Sequence, residues 1–218
     1  GADIGDVANA VGMDSRIGSK FLKPGPGFGG SCFKKDILNL VYLSRYYGLN
    51  EVADFWQETL KINYWQQNRI YEKIVEKLFG NLAGKKIAVL GFAFKENTND
   101  TRESPAIEIC KNLLKEGAFL NIHDCKVDKE TINKDLLNSG CIDEKLSWSY
   151  KDNVYSALED THAAILITEW SIYQTINWKE ILPKLKKPFW IFDTRLILNP
   201  KEINKLGINI WQLGYGNN

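Results

Sequence analysis

A glycine-rich loop that leads to a cysteine is the stretch of this sequence best suited to chemistry. Four glycines and two prolines lie within the seven residues Pro24 to Gly30, and Cys32 follows two positions later. Glycine permits backbone angles and close approaches that side chains forbid, so such a loop can present its N–H groups to a phosphate or a sugar. The pattern therefore predicts a binding segment that ends at a thiol.

Cys32 also lies just before a predicted helix. Two lysines follow it, and Asp36 opens an apolar-periodic run that ends at Tyr47 before Gly48. The partial positive charge of a helix N-terminus and the two lysines would both stabilise a thiolate, so Cys32 is a candidate covalent nucleophile. The alternative is that the loop is only a turn and that Cys32 is a small apolar residue of the core.

Two segments of the chain carry recognisable motifs. The first reads RIGSKFLK at positions 16–23 and FGGSCFKKD at 28–36, and the second reads GFAFK at 91–95 and NDTRES at 99–104. Both resemble the UDP-glucose/GDP-mannose dehydrogenase family, and within it the UDP-glucose 6-dehydrogenases. The resemblance covers nearly the whole chain, and its two segments occur in the order that the family has.

The resemblance implies an α/β chain in two parts. Residues 1–80 would form a central helical dimerisation segment that carries the catalytic loop and a long connecting helix. Residues 81–218 would form a C-terminal, Rossmann-like domain with a parallel sheet that binds the UDP-sugar. Members of the family carry an N-terminal NAD domain with a G-x-G-x-x-G turn, and this sequence contains no such turn. We therefore expect a fragment whose main NAD-binding domain is missing.

The resemblance also implies roles for individual residues. Cys32 matches the nucleophile, and Asp36 matches an acidic residue near it that could orient water or a lysine. Lys35 and Arg102 match residues at the NAD edge of the site. Arg16 matches a residue that reaches the substrate of a neighbouring subunit. The other residues that match substrate contacts are Phe21, Leu22, Lys23, Gly25, Phe28, Gly29, Phe94, Lys95 and Arg195.

The implied reaction is the oxidation of UDP-glucose to UDP-glucuronate by two hydride transfers to NAD, through a thiohemiacetal and then a thioester on Cys32. Three alternatives stay open. The chain could be a nucleotide-sugar-binding and dimerisation module without activity of its own. It could be a dehydrogenase of GDP-mannose or a UDP-N-acetylhexosamine. It could also be a cysteine hydrolase or redox protein unrelated to sugars.

Hydrophobic periodicity predicts the elements that position these residues. A long helix should begin after Asn50 as its cap and run to about Phe79. Its apolar stripe could face the core or an interface, and the resemblance favours a dimer interface: Val52, Trp56, Leu60, Tyr64, Tyr71, Ile74 and Leu78, interrupted by Gln67. Beyond residue 84, short apolar strands are predicted at 86–90, 120–123, 164–168, 189–192 and 208–212. Helices are predicted between them, one at 105–117 with Ser104 as its cap and Pro105 as its first residue, and others around 153–158, 178–182 and 200–206. This alternation indicates a parallel sheet that binds ligands at the C-terminal ends of its strands.

The turn after the first predicted strand gives little support for a dinucleotide site in this half. Gly91 stands where such a fold would begin G-x-G, but Ala93 replaces the second glycine. Asp124 ends the next strand, where an acid that binds ribose would lie. In the resembled family this domain contacts the nucleotide sugar instead.

Composition narrows the class of protein further. The 218 residues carry a net charge of +1, so there is no electrostatic case for nucleic acid or a membrane surface. No run of about 18 apolar residues is present. The cysteines Cys32, Cys110, Cys125 and Cys141 show no C-x-x-C spacing, and the chain has two histidines. We therefore expect no metal site and reduced thiols in the cytoplasm.

Overall fold

One long helix joins two hydrophobic cores of different size in this chain. The structure, a computed structural model, describes residues 1–140 and 147–215. Cys141 lies outside the described residues. Among the helices of these two ranges, none has the length and apolar character needed to cross a membrane.

The smaller core lies between two helices. Helix α1 spans Ile4–Gly12, α2 spans Phe33–Tyr46 and α3 spans Asn50–Lys77. Helices α2 and α3 pack together around four buried side chains: Ile37, Val41, Ala53 and Leu60. Phe28 and Trp56 pack against this cluster. Helix α2 begins three residues before the predicted start at Asp36, so Cys32 occupies its N-cap and the two lysines lie in its first turn.

Helix α3 confirms the predicted long helix, and its predicted stripe is divided between the core and the surface. Leu60, Gln67 and Ile74 of that stripe are buried, whereas Val52 and Tyr64 are 42% and 47% exposed. The buried residues of the helix are Ala53, Leu60, Asn63, Gln67, Ile70 and Ile74. Two of them are polar, so a hydrophobicity pattern alone does not mark the whole buried face. The predicted cap was wrong, because Asn50 is the first helical residue and Leu49 occupies the cap without a side-chain hydrogen bond.

The larger core surrounds a six-stranded parallel sheet. Its strands are β1 (Lys86–Leu90), β2 (Phe119–His123), β3 (Trp148–Tyr150), β4 (Ala163–Leu166), β5 (Trp190–Asp193) and β6 (Asn209–Gln212), in the order β3-β2-β1-β4-β5-β6. Ile87 to Leu90 are fully buried, as expected for a strand covered on both faces. Ile70 and Ile74 near the end of α3, and Leu78 just after it, belong to this core too. Helix α3 therefore contributes to both hydrophobic cores.

Some of the helices that connect the strands were predicted from the sequence and others were not. They are α4 (Pro105–Lys115), α5 (Lys129–Asn138), α6 (Val154–Leu158), α7 (Ser171–Gln174), α8 (Trp178–Ile181) and α9 (Pro200–Lys205), with a 3-10 turn at Leu182–Lys184. Ser104 caps α4 by accepting a hydrogen bond from Ala106 N, as predicted. The sequence did not predict α5, α7 or β3. Helix α5 is mostly polar and buries only Ile132 and Leu136, while β3 has three half-buried residues.

The strand order reverses between β1 and β4, because the chain moves to one side of β1 first and to the other side afterwards. In open parallel sheets, ligands bind outside the carboxyl ends of the strands at such a switch point. Gly91 follows β1 here with φ +98°, and a Cβ at this position would lie 2.6 Å from Thr168 N after β4. Glycine therefore lets the two chain segments approach each other at this edge.

Candidate functional site

Cys32 ends the loop of residues 23–32, called the glycine loop below, and starts α2. Its side chain is exposed and makes no capping hydrogen bond, and its sulfur lies 3.6 Å from Ser31 Oγ. Asp36 N donates to Cys32 O at 2.9 Å, which places the two residues one helical turn apart. Side chains at this spacing lie on the same side of a helix. The thiol is thus accessible, and Asp36 follows it by one turn of the helix.

The two segments that resemble the dehydrogenase family are in direct contact. Gly30 N donates to Arg102 O at 2.8 Å. A Cβ at Gly29 would lie 2.5 Å from Glu103 O and 3.0 Å from Phe94 Cβ. These glycines let the glycine loop pack directly on residues 91–104, called the second loop below.

Two charged side chains of the second loop face the start of α2. Glu103 Oε2 accepts a hydrogen bond from Lys34 Nζ at 2.7 Å. Arg102 binds Asp100 through two hydrogen bonds of 3.0 and 2.8 Å. The bonds to Asp100 raise the pKa of Arg102 further above its usual value, and the nearby Cys32 contributes in the same direction. Arg102 is therefore a fixed positive charge close to the thiol.

Arg195 is a largely covered cation of the site, with its side chain 16% exposed. Its Nε donates to Ile167 O at 2.6 Å and its Nη2 donates to Phe94 O at 3.2 Å. Glu169 Oε2 lies 3.0 Å from the same Nε, but that N–H is directed at Ile167, so the contact with Glu169 is ionic. Burial lowers the pKa of Arg195 and the charge of Glu169 acts against this. The guanidinium is held in one orientation.

A cleft of ≈ 670 Å³ opens beside Arg195 at the carboxyl edge of the sheet. Lys23 and Pro24 of the glycine loop and the preceding Leu22 line it on one side. Its remaining lining comes from α1 and the segment after it, from α7, and from the loops after β1, β4 and β5: Gly5, Ala8, Asn9, Ser19, Glu96, Glu169, Gln174, Arg195, Leu196 and Ile197. A second groove of ≈ 390 Å³ lies between α3, α4 and α5 and includes Lys34, Arg102 and Glu103. Cys32 lines neither of them.

The predicted site residues are therefore only partly gathered. Gly25 comes close to Arg195, since a Cβ there would lie 3.2 Å from the guanidinium. Phe28 packs its ring on Phe33, with centroids 4.7 Å apart, in the smaller core. Lys95 lies over the ring of Phe94.

Four predicted residues lie at the surface outside this cluster. Arg16 binds its neighbour Asp14 and its side chain is 87% exposed, while Phe21 is 99% exposed. Lys35 and Asp36 are exposed on the first turn of α2.

The turn after β1 does not fit the pyrophosphate of a dinucleotide. Phe92 N and Ala93 N, which would have to bind it, both donate to Asp124 Oδ2, at 2.7 and 3.0 Å. Lys126 N and Val127 N donate to the other oxygen of Asp124, at 2.8 and 3.0 Å. Asp124 is 3% exposed, so this carboxylate holds the turn rather than a ribose. In the part of the chain that the structure describes, no group of three or more His, Cys, Asp or Glu could hold a metal ion.

Two residues of the site were missed by sequence reasoning. Glu169 follows β4 and pairs with Arg195, and its position after a buried strand was the available signal. Asn63 binds the backbone of Phe28, and a polar residue on the buried face of α3 was its signal.

Comparison with known proteins assigns the class to which this fold and site belong. Residues 88–200 match the model of the UDP-glucose/GDP-mannose dehydrogenase family, UDP binding domain, and residues 1–65 match the central domain of the same family. The chain belongs to the UDP-glucose/GDP-mannose dehydrogenase family, which confirms the resemblance.

Individual relatives agree with this assignment. The chain is 45% identical to a UDP-glucose 6-dehydrogenase of Drosophila melanogaster, over 98% of this chain and 46% of the relative. It is 42% identical to UDP-glucose 6-dehydrogenase 4 of Arabidopsis thaliana, over 98% and 47%. Among solved structures, a UDP-glucose dehydrogenase from Pyrobaculum islandicum is 30% identical with a TM-score of 0.72, over 90% of this chain and 41% of that one. The chain thus spans about half the length of the curated relatives it matches.

Proposed function

We propose that this chain is the C-terminal part of an NAD-dependent UDP-glucose 6-dehydrogenase, divided into a central segment (1–80) and a UDP-sugar-binding domain (81–218). The observation that carries the proposal is the path of the glycine loop. The loop lines the cleft at Lys23 and ends at the exposed thiol of Cys32. One continuous segment can therefore bind the nucleotide part of a substrate and present a nucleophile to its sugar.

The cations of the cleft suit a nucleoside diphosphate sugar. Lys23 and Arg195 line it together with the carboxylates Glu96 and Glu169, and Lys95 lies on the second loop. Guanidinium and ammonium groups bind phosphate oxygens with charge-assisted hydrogen bonds. Because Arg195 is held by Ile167, Phe94 and Glu169, its orientation does not have to be fixed again when the diphosphate binds. Leu22, Gly25 and Gly29 would contact the ligand through the loop, with Phe21 and Phe28 flanking it.

Cys32 would act as the covalent nucleophile of the reaction. After the first oxidation of the 6-hydroxymethyl group, its sulfur adds to the aldehyde carbon and the aldehyde oxygen takes a proton, which gives a thiohemiacetal. The second oxidation removes a hydride from that carbon and the proton from its hydroxyl, which leaves a thioester. Water then replaces the sulfur and releases UDP-glucuronate. Holding the aldehyde on Cys32 prevents its escape between the oxidations, and Asp36 would orient the water.

NAD, when bound, would accept the two hydrides. The turn after β1 does not fit it, because the N–H groups of Phe92 and Ala93 are already bonded to Asp124. Its main binding domain would therefore lie outside this chain. Lys35 and Arg102 are the residues here that would face its edge, since both are exposed next to Cys32.

We also propose that the protein is a homodimer or a larger homo-oligomer. Helices α2 and α3 leave large apolar side chains exposed, among them Tyr46 at 72%, Phe55 at 67% and Trp65 at 59%. Exposed apolar area of this kind is typical of a protein interface. Arg16, on the exposed segment after α1, would reach the substrate of the neighbouring subunit. Sedimentation of the chain as a monomer at micromolar concentration would contradict this interface.

Calorimetric titration of the chain with UDP-glucose, with GDP-mannose in parallel, tests substrate recognition. We expect selective binding of UDP-glucose and a loss of about tenfold in affinity for Lys23→Ala, which removes a charge-assisted contact to phosphate. Lys20→Ala is the matched control, since Lys20 is exposed just before the cleft residues and does not line the cleft. Preference for GDP-mannose would contradict the proposed substrate.

Covalent catalysis is tested in the full-length enzyme. Cys32→Ser should stall turnover and leave UDP-glucose binding largely unchanged, and full activity of this variant would rule out the nucleophile. Assaying the 218-residue chain with UDP-glucose and NAD decides whether it is inactive by itself. Steady NADH formation would exclude an inert binding module.

A further inference from the structure

We propose that Asn63, on the long helix α3, is a positioning residue for the glycine loop: it fixes the loop in the conformation that binds the nucleotide sugar, without touching the ligand itself. This inference rests on the proposed function. It concerns a helix residue 35 positions away in sequence from the loop residue that it binds.

Asn63 binds both backbone groups of one loop residue. Its Oδ1 accepts a hydrogen bond from Phe28 N at 2.8 Å, and its Nδ2 donates to Phe28 O at 3.1 Å. A neighbouring β-strand would satisfy a residue's N–H and C=O in the same way. The side chain thus takes the place of a strand partner for a loop that has none at this position.

Burial explains why an amide stands on this face of the helix. Asn63 is 9% exposed, between Leu60 and Gln67 on the buried side of α3. A buried polar group is unfavourable unless it is hydrogen-bonded, and here both ends of the amide are bonded to Phe28. An aliphatic residue would fill the space but leave the N–H and C=O of Phe28 without these bonds.

The loop is shaped to receive this side chain. Gly27 has φ +115°, and a Cβ at this position would lie 2.6 Å from Asn63 Oδ1. Only glycine combines this backbone angle with so close an approach. One turn further along α3, Gln66 Nε2 donates to Gly25 O at 3.2 Å, which gives the helix a second point of attachment to the loop.

The attachment lies between the two functional parts of the loop. Lys23 lines the cleft on one side of Phe28, and Cys32 follows on the other. Fixing Phe28 therefore constrains the position of the cleft-lining cation and that of the thiol together. Loss of Asn63 should loosen both, because the loop is rich in glycine and has little conformational preference of its own.

Hydrogen exchange and calorimetry together test the proposal on the whole chain. In Asn63→Ala we expect the Phe28 amide to exchange about tenfold faster, and the affinity for UDP-glucose to fall about fivefold or more, as for the loss of one or two buried hydrogen bonds. Asn63→Asp keeps the acceptor for Phe28 N but loses the donor to Phe28 O, and should give an intermediate exchange rate. Asn68→Ala is the matched control, since Asn68 lies on the same helix and binds only the exposed Glu72 in the described structure.

Gly27→Ala disturbs the contact between Asn63 and the glycine loop from the loop side. It replaces Asn63→Ala as the test variant if Asn63→Ala folds poorly. Affinity losses of the two variants should not add in the double variant, because both remove one interaction. If the variants instead caused a general loss of structure, their affinity losses would add in the double variant. The midpoint of unfolding would then fall in proportion to the affinity loss. Unchanged exchange at Phe28, or faster exchange with unchanged affinity, would overturn the positioning role. Absence of UDP-glucose binding by the unsubstituted chain would contradict the proposed function instead, so the two failures are distinguishable.

Discussion

Lys34 and Glu103 form an ion pair across 69 positions of sequence, with Nζ and Oε2 2.7 Å apart. Lys34 lies in the first turn of α2, two residues after Cys32, and its ammonium group also lies 5.5 Å from the ring centre of Tyr64. Glu103 belongs to the second loop, at the carboxyl edge of the sheet. The pair therefore connects the start of the helix that carries the thiol to the larger core.

The contribution of this ion pair to stability should disappear at high pH. Burial acts to lower the pKa of Lys34, but the hydrogen bonds to Glu103 and Tyr64 outweigh it and raise the pKa above 10.5. A lysine whose pKa is higher in the folded state stabilises that state. This stabilisation is complete at pH values below the pKa of the unfolded state, and it is lost as the pH rises through the pKa of the folded state. We expect Lys34→Gln to cost about 0.5–1 kcal/mol of the free energy of unfolding at pH 7, and less as the pH rises past about 10.5.

Urea unfolding at several pH values, on the double-mutant cycle with Glu103→Gln, measures this contribution. The interaction energy of the cycle should shrink at alkaline pH, because Lys34 loses its charge there. The other lysines are the same in all four proteins of the cycle, so their titration cancels. A pH-independent interaction energy would contradict the assigned ion pair.

Arg102 should attract anionic reagents to Cys32. Its guanidinium is exposed, fixed on Asp100 and electrostatically coupled to the thiol. We expect Arg102→Gln to slow alkylation of Cys32 by iodoacetate about two- to threefold more than alkylation by neutral iodoacetamide, and this difference should fade at high salt. Mass spectrometry of the Cys32 peptide is the measurement, because Cys125 is exposed as well.

Arg45→Gln is the matched control for this test, since Arg45 lies in the last turn of α2 and pairs with Asp54. It should leave the ratio of the two rates unchanged. An equal effect of Arg102→Gln on both reagents would show that the charge does not act at the thiol.

Gly91 should tolerate alanine far less than Gly84 does. Both have positive φ, +98° and +73°, but only at Gly91 would a Cβ meet other atoms, among them Thr168 N at 2.6 Å. We expect Gly84→Ala to cost about 1 kcal/mol, the usual penalty of a left-handed backbone for alanine. Gly91→Ala should cost roughly 3 kcal/mol or more, because backbone on both sides of the switch point must move. Chemical unfolding of both variants compares them, and equal losses would contradict the close approach to Thr168.

Local sequence signals predicted five of the six strands and the start of α4. Ile87 to Leu90 are apolar, and Ser104-Pro105 is a strong helix start, so both elements were placed at their observed positions. The start of α2 was predicted late because Cys32 is not a typical cap and the first turn carries two lysines. Strand β3 was missed because its residues are half-buried and few, and its place depends on pairing with β2.

The two segments that carry the family resemblance were found in the sequence, but their mutual contacts were not predicted. The glycine loop and the second loop could be recognised separately. Their connection depends on long-range bonds such as that from Arg195 to Phe94 O, which spans 101 positions. Glu169 and Asn63 have no neighbouring functional residues that would have marked them. What they contact, Arg195 for Glu169 and the backbone of Phe28 for Asn63, is set by the three-dimensional fold and not by their neighbours in sequence.

Helix α3 also restricts how this chain can change in length. Leu60 belongs to the smaller core and Ile70 to the larger one, and both lie on the same continuous helix. Each residue of an α-helix adds about 100° of rotation and 1.5 Å of rise. One residue inserted between them would turn Ile70 and Ile74 away from the sheet, and even a seven-residue insertion that restored the angle would separate the cores by about 10 Å. Relatives that keep this site should therefore vary in length in their surface loops and not within this part of the helix.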